Sequence, residues 1–345
     1  MRKIYAAGLF LLLSVLSKAA DRYWVGGASG NWNSTGNWSA SSGGASGASV
    51  PAANDNVIFD NGLTVAVTYD LATNDVGFSG FTVTNNTQLT LTNTVSSTRS
   101  LTINNSGTTY YEVVAAGSSL TLQSNTNTVF NFGSSSLSNG RMVFNGNVRC
   151  VNQAVNTSNG PRLNSQDSII INALFYVGPA ISQTGSNPTG LNKYRFSSGS
   201  VYQVDKNGGV IPGGKWEQGS LIKITGSGSA FPSTWGTAAA YGAVEFNAPG
   251  ANAGAIQNLS LPSNTVFQGN FTVVNLGTSA GIRLASTPTN IVIQGDLIIQ
   301  QGLVSLANSS TAGSVTVNGS FSQSAGTTLD LQTSSANISF TIKGG

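Results

Sequence analysis

A five-residue pattern, apolar-x-Gly-x-apolar, recurs near the C-terminus as Phe267-Gln268-Gly269-Asn270-Phe271, Ile293-Gln294-Gly295-Asp296-Leu297 and Val317-Asn318-Gly319-Ser320-Phe321, then begins again at Ile342-Lys343-Gly344. Its leading residues stand 26, 24 and 25 positions apart. A repeat of that length, carried on short apolar segments with no helical pattern, restricts the chain to a solenoid in which each unit is one coil stacked on the last. The fold this predicts is all-β, a right-handed parallel β-helix. Each coil would run through about three short strands, each in register with the strand below at about 4.8 Å. The Phe, Ile and Val that head the motif then form one interior column, and Phe271, Leu297 and Phe321 form another.

Within the motif, and in its earlier copy Phe144-Asn145-Gly146-Asn147-Val148, the central glycine reads as a corner. Gly146, Gly269, Gly295, Gly319 and Gly344 are expected there because Gly reaches φ > 0 without steric cost, with Asn the next most tolerant residue. Stacked Asn at such corners would exchange amide hydrogen bonds along the axis. A phosphate-cradling role for these glycines would need a following helix, and none is read.

The remainder of the chain suits this architecture. Only 8% of residues are charged. A polar surface of Ser, Thr, Asn and Gln competes with a helical backbone for hydrogen bonds and favours turns. From Leu63 onward, apolar pairs two residues apart (Val65 and Val67, Leu89 and Leu91, Leu101 and Ile103, Leu120 and Leu122) place one face inward by period-two alternation. Residues 21–62 hold Trp24, Trp32 and Trp38, three of the five Trp, and form the expected aromatic-rich N-terminal cap for the open end of the first coil. Residues 63–345 are read as coils, irregular with larger loops over about 133–256 and regular over 267–345. The last repeat breaks off at Gly344, partway into a coil.

Residues 1–20 read as a secretory signal, with Arg2 and Lys3 as the basic region and Ile4 to Leu16 as the apolar one. Cleavage after Ala19, or next after Ala20, fits the small residues of Ser17-Lys18-Ala19. The chain is therefore expected to be secreted or at the cell surface, with no membrane insertion once the signal is removed. Loss of Arg2, Lys3 and Lys18 leaves 12 basic against 12 acidic residues. Nucleic acid or an anionic membrane would need a basic patch, and with no run of Lys and Arg neither is an expected partner. The single Cys150 excludes an internal disulfide and reads as a buried apolar side chain.

The absence of His excludes histidine-based nucleophilic catalysis and most zinc sites. Carboxylate chemistry remains, as in glycoside hydrolysis, but the acids are scattered. Asp55, Asp60, Asp70 and Asp75 are the densest set. Asp55 and Asp60 are the candidate Ca²⁺ ligands, the one cofactor considered, against the plainer role of capping turns. Trp24, Trp32 and Trp38 are the candidate sugar-stacking platform, against the plainer role of closing the core. Convergence of Asp167, Asp205, Glu217 or Glu245 with Arg195 or Lys215 in a cleft would favour a carbohydrate-active protein over a structural one.

Trp24-Val25-Gly26-Gly27, Gly30-Asn31-Trp32, Asn37-Trp38, Val50-Pro51 and Asp55-Asn56-Val57-Ile58-Phe59-Asp60 resemble the opening of large secreted surface proteins of Bacteroidota. More loosely they resemble the start of autotransporter-type β-strand-repeat proteins. Asn207-Gly208-Gly209-Val210-Ile211-Pro212, with Lys215-Trp216 and Ile224-Thr225-Gly226, resembles a recurrent stretch of the former group. The resemblance implies export, a β-helix or related solenoid, and an adhesin-like surface role. Such proteins often carry a sorting domain for type IX secretion far downstream; this chain departs from that pattern, stopping at Ile342-Lys343-Gly344-Gly345. The resemblance carries no catalytic residues. The function expected is that of a non-catalytic structural or adhesive solenoid with surface glycans or extracellular matrix as candidate partners; the alternative is a β-helix that binds or cleaves polysaccharide.

Overall fold

The computed structural model describes residues 19–344 apart from 72–75, 105–110, 126–128, 135–140, 153–159, 166–167, 179–192, 206–207, 227–229, 251–255, 278–279, 286–288, 308–312 and 332–337. The signal read at residues 1–20 falls outside the described residues except for Ala19 and Ala20; Asp75 and Asp167 also fall outside.

The protein is an all-β parallel solenoid with three sides. One long side is a continuous sheet of 12 strands, from Ser29–Asn31 to Phe321–Gln323. The side that precedes it in each coil, called here the first side, holds a nine-stranded sheet ending at Lys215–Trp216 and resumes as a four-stranded sheet beginning at Thr265–Phe267. The third side is in three pieces, of four, two and four strands. The breaks fall in the irregular middle, where strands of the long side start at Leu174, Val201, Leu221 and Ala243, only 20 and 22 residues separating the last three. A coil that short leaves room for first-side and third-side strands of two residues, such as Lys215–Trp216 and Val210–Ile211. The long side nonetheless runs straight through, so the irregular middle is more of the same solenoid.

Inside, like stacks on like in the expected columns. Phe267 pairs with Ile293 and Ile293 with Val317, while Phe271 pairs with Leu297 and Leu297 with Phe321; Ile342 continues the register after Val317 but is 43% exposed. On the long side Val65, Leu89, Leu120 and Val148 form one line and Val67, Leu91, Leu122 and Cys150 its neighbour. Cys150 is buried, as expected of a lone cysteine acting as a small apolar side chain. Each such side chain contributes roughly 1.5–3 kcal/mol through burial. A single coil buries too few of them to offset its own chain entropy, so neighbouring coils hold one another.

The first coil is closed by aromatic rings. Trp24, Trp32 and Trp38 are buried together with Phe59, Tyr69 and Phe78. Ring centroids lie 5.3 Å apart for Trp24–Trp38, 5.0 Å for Trp32–Trp38 and 5.2 Å for Trp32–Tyr69, all edge to face. Such pairs add about 0.5–1.5 kcal/mol each beyond area burial. Trp38–Ser39 pairs antiparallel with Asp21–Trp24, which in turn pairs parallel with Asn56–Phe59. The antiparallel strand occupies an edge that would otherwise template further pairing.

The corners are of two kinds. Between the first and long sides, residues 84–87, 115–118, 197–200 and 217–220 form tight turns in which the N–H of the fourth residue donates to the C=O of the first, at 3.1, 3.0, 3.0 and 3.0 Å. Their third residues, Asn86, Gly117, Gly199 and Gly219, have positive φ. The motif glycines differ. Gly269, Gly295, Gly319 and Gly344 lie after first-side strands as expected, yet none of them, nor Gly146, has φ in the left-handed region. The reason given for them from sequence is therefore corrected. A Cβ on Gly295 would sit 2.8 Å from the carbonyl carbon of Gly269, and one on Gly319 2.7 Å from that of Gly295. The same holds at Gly344 against Gly319, at 2.7 Å. Gly295, Gly319 and Gly344 donate N–H bonds of 3.3, 3.1 and 3.2 Å to the glycine carbonyl one coil earlier. At Gly146 the obstacles are the Ser118 and Ala115 carbonyl oxygens, and at Gly269 the Ala243 side chain. Close approach between coils, not backbone handedness, requires Gly here. The Asn ladders do form: Asn172 Nδ2 donates to Asn145 Oδ1 at 2.6 Å, and Asn290 Nδ2 to Asn264 Oδ1 at 3.1 Å.

Candidate functional site

The aromatic residues suggested as a sugar platform are not one. Trp24, Trp32 and Trp38 are 1%, 0% and 0% exposed, so their ring faces are spent on the core. Trp24 Nε1 donates to Gly27 O at 3.0 Å and Trp38 Nε1 to Trp32 O at 2.8 Å, fixing the rings further.

Of the acids considered for Ca²⁺, Asp55 and Asp70 accept backbone N–H bonds. Asp55 accepts from the N–H groups of Ala20 at 3.1 Å and Ala52 at 2.9 Å, one on each carboxylate oxygen, with Arg22 Nε at 3.7 Å. Asp70 accepts from the Asn33 N–H at 2.8 Å. Asp60 lines a separate cavity with Trp24, Gly43 and Leu63. Among the described residues, no group of three or more His, Cys, Asp or Glu side chains comes together.

A different constellation does assemble. On the first side, Arg141–Phe144, Ser168–Ile171, Tyr194–Phe196 and Lys215–Trp216 are consecutive parallel strands. Alternation turns Met142, Ile169 and Tyr194, then Phe144, Ile171, Phe196 and Trp216, into the core, where Phe196 and Trp216 stack at 3.8 Å. The opposite set faces out. Arg141 lies beside Ser168, while Val143, Ile170, Arg195 and Lys215 form one line. Of these, Arg141, Ser168, Ile170, Arg195 and Lys215, together with Lys193, Tyr194 and Gly214, line a groove of about 320 Å³. Four of its lining residues, Arg141, Lys193, Arg195 and Lys215, are cations, and among the described residues none of the lining is acidic.

Glu217 stands at the edge of this groove, on the first residue of the tight turn that follows Lys215–Trp216. Its Oε1 accepts from Arg195 Nε at 2.9 Å and Nη2 at 2.5 Å, and lies 3.8 Å from Lys215 Nζ. Its Oε2 accepts from the Ser198 N–H at 3.3 Å. Hydrogen bonding to Arg195 first, then to the Ser198 backbone, lowers the Glu217 pKa. The carboxylate is thereby held ionised, with both oxygens engaged. No protein-family model, curated protein or solved structure matches the chain.

The other acids named as possible partners lie elsewhere. Asp205 accepts from the Tyr176 hydroxyl at 2.6 Å, and Glu245 pairs with Lys223 at 3.1 Å on the long side. Burial first, and then Asp205, pushes the Tyr176 hydroxyl up to about 12. Of the convergences anticipated, one occurs, Glu217 with Arg195 and Lys215, and by the criterion given from sequence it favours a carbohydrate-active protein over a purely structural one. The sequence holds no run of Lys and Arg, yet the fold gathers a cationic cluster. Arg141, Lys193, Arg195 and Lys215 are far from a run in sequence, and the strand register collects them. The signal that could have found them is the inward Phe196 and Trp216, since aligning those two puts Arg195 beside Lys215.

Proposed function

We propose that this is a non-catalytic extracellular solenoid, structural or adhesive at a cell surface, that engages glycans through the groove of the first side. The observation that carries this reading is the cationic groove itself, an outward, partly open site on a rigid wall of stacked strands. The signal-like leader and the resemblance to secreted surface proteins of Bacteroidota support an extracellular setting. Glu217 is the only described acid that joins Arg195 and Lys215, and general acid–base work calls for a carboxyl whose pKa is raised toward the working pH. Its pKa is lowered instead. Ca²⁺ is not part of the reading. The test is a glycan array probed with the mature chain: binding to a discrete set of glycans is expected, and silence across charged and neutral glycans alike would remove the adhesive role.

A second reading, polysaccharide cleavage, is favoured by one feature, the pairing of Glu217 with Arg195 beside the groove. Incubation of bound polymers with the chain distinguishes the two. An unchanged polymer length is expected; shortening that disappears in Glu217→Gln would establish the enzyme instead.

A further inference from the structure

We infer that the ligand of the groove is a polyanionic polysaccharide, carboxylated or sulfated, lying along the solenoid axis. This rests on the reading of the groove as the binding surface. Successive parallel strands are about 4.8 Å apart, so the three steps from the Arg141 strand to the Lys215 strand span about 14 Å. Over that length cations occur on three of the four strands: Arg141, then Arg195 with Lys193 beside its strand, then Lys215. The intervening strand contributes the Ser168 hydroxyl and the buried face of Ile170. A linear chain with an anionic group on successive units meets a cation at almost every step, whereas a compact anion would use only part of the array.

The size and surroundings of the groove select among polyanions. Its 320 Å³ lies at the small end for ligand sites and admits a short stretch of chain, not a folded domain. Single-stranded nucleic acid is commonly held by exposed aromatic faces that stack on bases. Among the described residues the only aromatic in the lining is Tyr194, which is 1% exposed. A membrane surface would want exposed apolar side chains. The large exposed ones among the described residues, Leu63, Leu331 and Ile342, are not in the groove.

Glu217 acts as a positioning residue. It fixes the Arg195 guanidinium through Nε and Nη2, a pair in which Nη1 takes no part. The Arg195 side chain remains 40% exposed and that of Lys215 66% exposed, so both can be reached by an incoming anion. A fixed guanidinium loses less side-chain freedom on binding than a mobile one.

The experiment measures binding of the full mature chain to polygalacturonate, dextran sulfate, neutral dextran and a mixed-sequence DNA duplex, at low and high salt. At least one of the two acidic polysaccharides is expected to bind, with affinity falling as salt rises. Polygalacturonate alone would make the ligand carboxylated and dextran sulfate alone sulfated. The double variant Arg195→Gln/Lys215→Gln should weaken that binding by roughly tenfold or more, while Lys343→Gln, far along the chain, should leave it unchanged. Lys193→Gln, just before the Arg195 strand, gives a second loss to read if the double variant unfolds by circular dichroism. Glu217→Gln should weaken binding in spite of removing a negative charge, which a bystander carboxylate would not do. Tighter binding of DNA overturns the proposal, as does undiminished binding by both folded lysine and arginine variants. Neutral dextran bound as tightly, and lost in the double variant, overturns the polyanion while leaving the adhesive role intact; no binding of any probe overturns both.

Discussion

The C-terminal repeats and the coils before them differ in their corners, although Gly146 carries the crowded kind into the middle. In the turns at 84–87, 115–118, 197–200 and 217–220 the closing hydrogen bond lies within the coil. In the C-terminal repeats the glycine at 269, 295, 319 or 344 touches the glycine of the neighbouring coil, and the bond runs between coils. A corner closed within its coil leaves the flanking residues free to differ from one coil to the next. A corner closed between coils requires the same residue each time. This is why the C-terminal coils repeat visibly in sequence and the middle ones do not, and why the middle can carry Arg195, Lys215 and Glu217 on otherwise equivalent strands. The core does not share the distinction, since Phe175 and Phe271 are both fully buried on the long side.

The comparison can be tested first at the core. Phe271→Ala should cost about 3–5 kcal/mol in denaturant unfolding, and Phe175→Ala in the middle should cost a similar amount. A loss below about 1 kcal/mol at Phe175 would mean that the middle is not packed as the repeats are. The corners come next. Gly295→Ala pushes a methyl group against the coil below and should cost about 1–3 kcal/mol. At Gly199 a Cβ meets nothing within 4 Å, but φ is +80°, so the cost there comes from the left-handed backbone. Asn, which tolerates that backbone, should therefore be nearly as good as Gly at position 199 and poor at position 295. Equal tolerance of Asn at both sites would erase the distinction.

A smaller effect separates two rings of the first coil. Trp38 Nε1 has a carbonyl partner, whereas Trp32 Nε1 is buried without one among the described residues. Replacement by Phe should therefore cost about 0.5–1.5 kcal/mol more at Trp38 than at Trp32, read from thermal unfolding of the two variants. The smallest effect belongs to Glu217. Its folded pKa is lowered, so its contribution is present above the ordinary carboxylate range and fades as pH falls through the lowered value. The acidic limb of the stability–pH curve should be slightly shallower in Glu217→Gln than in the parent. Partial exposure of the pair keeps this contribution small.

Much of the fold was legible because the repeat spells its own register: Phe267, Ile293 and Val317 announce a column by their spacing. Trp24, Trp32 and Trp38 announced a closed end, though not that Trp38 would close it on an antiparallel strand. The motif glycines were placed correctly and explained wrongly. Sequence shows that Gly is used, but whether the demand comes from φ or from a neighbour above depends on a backbone separation that only stacking defines. The groove was the least legible part. Residue type alone marks Glu217, Arg195 and Lys215 as candidates, but not Arg141 and Lys193. Their convergence depends on coils of unequal length, and period-two alternation says which residues face out without saying which coils align.

The central claim is that the middle coils bind while the regular coils serve as scaffold. Amide hydrogen exchange of the full mature chain, with and without saturating polygalacturonate or dextran sulfate, whichever binds, tests it most directly. The account predicts slowed exchange in peptides covering 141–144, 168–171, 194–198 and 214–217, and none in those covering 265–275 and 290–299. Slowing centred on the C-terminal repeats, or on the tryptophan-rich first coil, would contradict it.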